Sequence, residues 1–208
     1  MKMIGPGTDV PYISQFDDSL DAENTGRYCG MACLWMVVEY FERRQGREGV
    51  DPGALREHGE RIGGLNENND WIHTKLADVA RSHGYASVVR SWFAREEDLE
   101  SMRHQGRLAS DVEANTYKSW VEAESMATLA EIINQNRPAI LSVKPGFGVP
   151  MYGNGNGGHL IVVTAIAEDG SSFLVNDPQC RPGEGGAVQV SRERLLQFSK
   201  FNAIFVLG

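Results

Sequence analysis

The stretch from Cys29 to Phe41 constrains the fold most. Its apolar residues Ala32, Cys33, Trp35, Met36, Val37, Tyr40 and Phe41 recur at helical spacing and cover most of the circumference. A helix that is apolar nearly all round must be enclosed by other elements, so the pattern predicts a central, buried helix opened by Cys29 and Gly30. With 208 residues, the chain is long enough to surround that helix with a core.

Around this helix the punctuation is readable. Residues 9–16 predict a short extended segment, followed by a polar loop to Arg27. Asp51-Pro52 is a helix start, with Asp as N-cap and Pro at the first helical position. A further helix is expected from about Asn69-Asp70, carrying Ile72, Leu76, Val79 and Ala80 and stopping before Gly84, and then a strand over Tyr85–Trp92. Residues 94–127 are charged and weakly periodic, which predicts an insertion or peripheral helical excursion in an otherwise single domain, 1–208. Thr128-Leu129-Ala130-Glu131 has the form of a capping box and predicts a helix start there, with Arg137-Pro138 ending the helix. Strands follow at 139–143, 159–166 and 172–176, with Asp169-Gly170 as the hairpin turn. A late strand (187–190), a short helix opened by Ser191 and a final strand (203–207) close the chain. Helices first and strands later indicate α+β with an antiparallel sheet.

Composition narrows the function. With 20 Lys+Arg against 28 Asp+Glu the formal charge is −8, and no basic run offers a phosphate-binding surface, so nucleic acid is not an expected partner. No apolar stretch approaches the roughly 20 residues that span a bilayer. The N-terminal residues Met1 to Gly7 lack the apolar region of a secretory signal, so no membrane and a cytoplasmic location are expected. The three cysteines, Cys29, Cys33 and Cys180, read as free thiols rather than a disulfide framework. Cys29 and Cys33 make a poor zinc signature without a second pair, so no metal is expected. Gly153 to Gly158 satisfies the dinucleotide pattern, but a β-branched strand follows where that fingerprint needs a helix, and no organic cofactor is expected. The same loop reads instead as a mobile segment that could admit an extended substrate or act as a lid.

Four residues form a chemical constellation: Gln15, Cys29, His159 and Asp177. A thiol at a helix mouth faces unsatisfied N–H groups and the positive end of the helix dipole, which favour the thiolate. His159 heads a buried strand directly after Gly157-Gly158 and is placed to act as its base. Asp177 ends the neighbouring strand of the same hairpin, where its carboxylate can fix the imidazole tautomer. Gln15 supplies a side-chain amide donor that, with the backbone N–H of Cys29, would make an oxyanion hole. Cys33, one turn inside the helix, reads as core and Cys180 as a rim thiol. His58, His73, His83 and His104 read as solvated or satisfied residues. Trp71, Trp92 and Trp120 are given no role.

The segments Pro11-Tyr12-Ile13-Ser14-Gln15, Tyr28-Cys29-Gly30-Met31-Ala32-Cys33-Leu34-Trp35-Met36, Arg137 to Val143, Gly157-Gly158-His159-Leu160-Ile161-Val162-Val163-Thr164 and Val175-Asn176-Asp177-Pro178 resemble the papain-like peptidases of the bacteriocin-processing (double-glycine leader) family, and especially its stand-alone relatives. The resemblance spares only residues 94–127. It implies a papain-like fold, Cys29 as nucleophile, His159 as base, Asp177 as orienter and Gln15 as oxyanion donor. Gln15 precedes Cys29 by 14 residues, more than is usual in leader peptidases. The expected function is a cysteine hydrolase that cleaves a peptide or isopeptide bond of a peptide or protein substrate through a thioester acyl-enzyme. An acyl transferase of transglutaminase type on the same triad, and a non-catalytic papain-like binding module, are the alternatives.

Overall fold

The computed structural model describes residues 2–20, 27–68, 70–144, 146–147, 158–180 and 186–208. Strand β1 (Met3–Ile4) and a 3-10 turn at Gly7–Asp9 precede the central helix α1 (Cys29–Arg44). Helices α2 (Pro52–Arg61) and α3 (His73–Ser82), strand β2 (Ala86–Ser91), and helices α4 (Glu96–His104) and α5 (Asp111–Asn134) follow. Then come β3 (Ala139–Val143), β4 (His159–Ala167), β5 (Ser172–Asn176), β6 (Val188–Ser191), α6 (Arg192–Phe198) and β7 (Ser199–Leu207). Among the described residues all strands join one antiparallel sheet in the order β2-β7-β3-β4-β5-β6, with β1 on β4.

Helices cover both faces of this sheet. Ile140, Leu160, Val162, Ile204 and Val206 face one core with α1, α2 and α3. Leu141, Val143, Ile161, Val163 and Phe205, one residue out of phase, face a second core with Leu129 and Ile133 of α5 and Leu195 of α6. That double burial is why β3 and β4 are continuous apolar runs, where a sheet with one wet face would alternate. In α1 only the outer edge is left partly open; Met31, Leu34, Met36, Val37 and Val38 have no exposed surface. Each such side chain contributes about 1.5–3 kcal/mol by leaving water.

The caps explain most element starts. Asp51 accepts the Gly53 N–H at 3.0 Å, and Ser191 Oγ accepts the Arg194 N–H at 3.2 Å. The expected helix start at Thr128 is wrong: α5 begins seventeen residues earlier, behind Ser110, whose Oγ accepts the Glu113 N–H at 3.2 Å. No Gly or Pro interrupts residues 107–137, so the backbone runs straight through Thr128. Its hydroxyl donates one turn back to the Glu124 carbonyl at 2.9 Å instead of capping. The 94–127 stretch therefore holds α4 and most of α5, and the C-terminal half of α5 lies against the sheet as a core element. The segment after Gly7–Asp9 leaves the turn with Val10 in an extended conformation and joins no strand ladder over residues 10–16. Among the described residues no helix is long and apolar enough to cross a membrane.

Candidate active site

Cys29 is the first residue of α1. The side chain of the preceding Tyr28 makes no capping bond, and the first intrahelical bond runs from the Ala32 N–H to the Tyr28 carbonyl at 2.8 Å. The amides of Cys29, Gly30 and Met31 thus have no helical acceptor and point, with the dipole, out of the helix mouth. Trp71 braces that mouth. A methyl group on Gly30 would sit 2.8 Å from Trp71 Cβ, and one on Gly59 or Gly64 would sit 2.8 or 2.6 Å from its Cζ3. Gly30, Gly59 and Gly64 together form the slot that admits the indole, and Tyr28 lies against it with ring centroids 6.2 Å apart. Sequence reading gave Trp71 no role; glycines at helical positions in α1 and α2 were the signal available.

His159 and Asp177 meet where β4 begins and β5 ends. His159 Nε2 lies 2.7 Å from Asp177 Oδ1, and both side chains are buried. The same carboxylate oxygen accepts the Gln179 N–H at 3.0 Å, which fixes its rotamer. Burial by itself pushes the His159 imidazole down. The hydrogen bond it donates to Asp177, then the hydrogen-bonding and charge influence of the nearby Cys29 sulfur, outweigh it and raise the group to about 10. With Nε2 held by Asp177, Nδ1 is the nitrogen left to the sulfur.

The N-terminal segment is pinned to this corner. Gln15 is buried, and its backbone N–H donates to the Pro178 carbonyl at 2.8 Å, which sets it beside the Asp177 turn. Tyr12 and Ser14 hydroxyls both donate to the Cys180 carbonyl, at 2.5 and 2.8 Å. Asn176 completes the clamp: its amide nitrogen donates to the Pro11 carbonyl at 3.3 Å while its oxygen accepts the Ala187 N–H at 2.8 Å. Burial, chiefly, raises the Tyr12 phenol far above its ordinary value, so it stays neutral. Sequence reasoning gives Asn176 no function of its own; its position one residue before Asp177 is the available signal.

Cys33 is fully buried, and burial pushes its thiol well above the ordinary range. Cys180 is partly exposed beside the clamp. His58 shares a 3.4 Å contact with Ser82, whereas His73 departs from expectation: its Nε2 is buried with no hydrogen-bond partner. Trp92 is core and Trp120 is exposed. Of the loop expected as a mobile lid, Gly153 to Gly158, all but Gly158 lies outside the described residues. Among the described residues no group of three His, Cys, Asp or Glu could hold a metal.

The sequence profile of the Peptidase_C39 like family matches residues 8–203. The chain belongs to this family. Its fold is also that of solved C39 peptidases, which are papain-like. A double-glycine-motif protease from an AMS/PCAT transporter, solved with a leader peptide, aligns at TM-score 0.54 and 14% identity over 100% of both chains. The peptidase domain of Streptococcus ComA, a bifunctional ABC transporter of a quorum-sensing pathway, aligns at 0.54 and 16% over 95% of this chain and 98% of that one. A C39-like peptidase from Bacillus anthracis aligns at 0.55 and 14% over 100% and 98%. No curated protein matches in sequence. At these identities the likeness carries the fold, and this C39-like chain's chemistry rests on its own residues.

Proposed function

We propose that this C39-like chain is a cysteine peptidase with Cys29 as nucleophile, His159 as acid–base, Asp177 as orienter and Gln15 as oxyanion donor. The observation that carries the reading is the buried imidazole held at 2.7 Å by Asp177 and raised to about 10 beside a helix-mouth thiol. At neutral pH an imidazole so raised is protonated, the state in which it faces a sulfur nucleophile and can later hand on its proton. The thiolate attacks the scissile carbonyl, and the oxyanion is met by the Cys29 N–H and the Gln15 amide. The imidazolium passes its proton to the leaving amine as the C–N bond breaks, leaving a thioester. Neutral His159 then takes a proton from water, whose attack on the thioester releases the carboxylic acid and restores the thiol–imidazole pair. The leader peptide bound to the structural neighbour, together with family membership, supports a peptide substrate.

Alkylation with iodoacetamide at pH 6 tests the nucleophile. Cys29 should be labelled far faster than Cys33 or Cys180, and His159→Ala should abolish the difference. Equal, slow labelling of the three thiols would leave a papain-like scaffold without catalysis. Cleaved peptide libraries with a Cys29→Ala control give the hydrolase reading directly; products carrying an added amine in place of water would mark an acyl transferase instead.

A further inference from the structure

The sheet changes register beside the candidate site. Val143 pairs with His159 on one side and Ser199 on the other, while the adjacent Ser142 pairs with Leu160 and Asn202. Lys200 and Phe201 are therefore extra residues on β7, forming a bulge. Phe201 sits at φ 53, a left-handed conformation that a bulky side chain adopts at a cost, and Ser199 Oγ holds it by accepting its N–H at 2.9 Å. Bulges redirect side chains. This one sends Lys200 toward the residue preceding His159: a methyl group on Gly158 would lie 3.2 Å from the Lys200 ammonium and 3.9 Å from Ser142 Oγ.

No carboxylate pairs with Lys200 among the described residues, in a chain of formal charge −8 where carboxylates outnumber cations. Its charge also reaches the His73 imidazole, which burial chiefly, and Lys200 after it, push down. His73 Nε2 is itself buried without a hydrogen-bond partner. The ammonium thus stands over the exposed Gly158, one residue from the proposed acid–base.

We infer that Lys200 is an anion-recognising wall beside the site that selects a peptide carrying a carboxylate close to the scissile bond. This deepens the peptidase reading and rests on it. The carboxylate can come from an acidic side chain on the acyl side, from one on the leaving-group side, or from a free C-terminus. The exposed Gly158 lets the substrate backbone pass, and the ammonium above it accepts the negative group. One charge-assisted hydrogen bond lost corresponds to about a tenfold loss of discrimination.

The test is competitive cleavage of equimolar peptide pairs that differ only as Glu against Gln at one position, or as free against amidated C-terminus, with products weighed by mass spectrometry. Each arm yields a ratio, so a general change in activity cancels. The wild type should prefer the carboxylate in one arm by about tenfold; Lys200→Gln should bring that ratio near one and Lys200→Arg should restore most of it. The relative rates of Cys29 labelling by iodoacetate and iodoacetamide provide a second readout, expected to fall in Lys200→Gln. A reactive Cys29 whose ratios are the same in wild type and Lys200→Gln overturns the anion wall and leaves the peptidase reading standing. No cleavage in any arm, with Cys29 inert to both reagents, overturns the peptidase reading and this inference with it.

Discussion

Gly30→Ala should destabilise the protein although alanine is the better helix former. At an unstrained helical glycine the substitution stabilises by about 0.4–1 kcal/mol, mainly by restricting the unfolded chain. Here the new methyl would meet Trp71 Cβ at 2.8 Å, Cγ at 2.9 Å and Leu76 Cδ1 at 3.0 Å. Trp71 cannot yield easily: these atoms are the root of its side chain, and its far edge is wedged against Gly59 and Gly64. Overpacking of this kind costs about 1–3 kcal/mol, so the net loss is about 1–2 kcal/mol, a few degrees of melting temperature in a chain of this size. Gly53→Ala is the control: it too lies in a first helical turn, but its nearest atom is Asp51 Oδ1 at 3.4 Å, and it should gain about 0.5 kcal/mol. Urea unfolding of the two variants gives the stabilities, and Cys29 alkylation shows whether the displaced indole tilts the helix mouth. If Gly30→Ala is as stable as Gly53→Ala and labels at the wild-type rate, Trp71 does not brace Cys29 as argued.

Asp177→Asn should shift the pH profile of turnover. The imidazolium is lost as pH rises through the folded-state value of about 10, so the alkaline limb of kcat/KM lies near there in the wild type. Asp177 is the largest raising influence, and its removal should move that limb to lower pH by about 1–3 units. An unmoved limb means another group sets it. Asn176→Ala breaks the clamp between Pro11 and Ala187 and should cost about 2 kcal/mol in urea unfolding; a loss under about 0.5 kcal/mol would show that the N-terminal segment is held by other means. Cys33 should resist thiol reagents until the protein unfolds, so its labelling in rising urea should coincide with loss of circular dichroism, and labelling well before that transition would contradict its burial.

Local signals in the sequence located most elements. The continuous apolar face of α1, the Asp51-Pro52 start of α2, the Ser191 cap of α6 and the Asp169-Gly170 turn each act within a few residues, so their physics is complete in a short window. The nearness of His159 to Asp177 was legible for the same reason, since the two flank one hairpin at the same edge, although Asn176 pairs with Val162 and β4 runs on past it to His159. Thr128 fails informatively. A capping box describes side chains that can cap, but the backbone must also leave the helix, and nothing between Gly106 and Pro138 forces that. Trp71, Asn176 and Lys200 were opaque because each acts across long separations. Asn176 bonds to Pro11, 165 residues away, and the Lys200 bulge exists only once β7 has paired with β3.

These long-range residues also explain why the site needs the whole fold. Cys29 stands on a helix whose mouth is set by the slot around Trp71, while His159 and Asp177 stand on a hairpin that the clamp of Tyr12, Ser14 and Asn176 ties to the N-terminal segment. The helix and the hairpin meet through Leu160 and Val162 of β4, which share a core with α1. A sulfur and an imidazole on separate elements keep a fixed relation only while that interface stays packed. Damage to the interface should therefore lower thiol reactivity before it abolishes the fold, because ion-pair geometry tolerates less displacement than hydrophobic burial does. Leu160→Ala offers the measurement: its cavity should cost about 2–5 kcal/mol, and in the folded population Cys29 alkylation should fall toward the rate of an ordinary thiol. Wild-type alkylation in a folded but destabilised Leu160→Ala would mean that the helix mouth and hairpin are held together elsewhere.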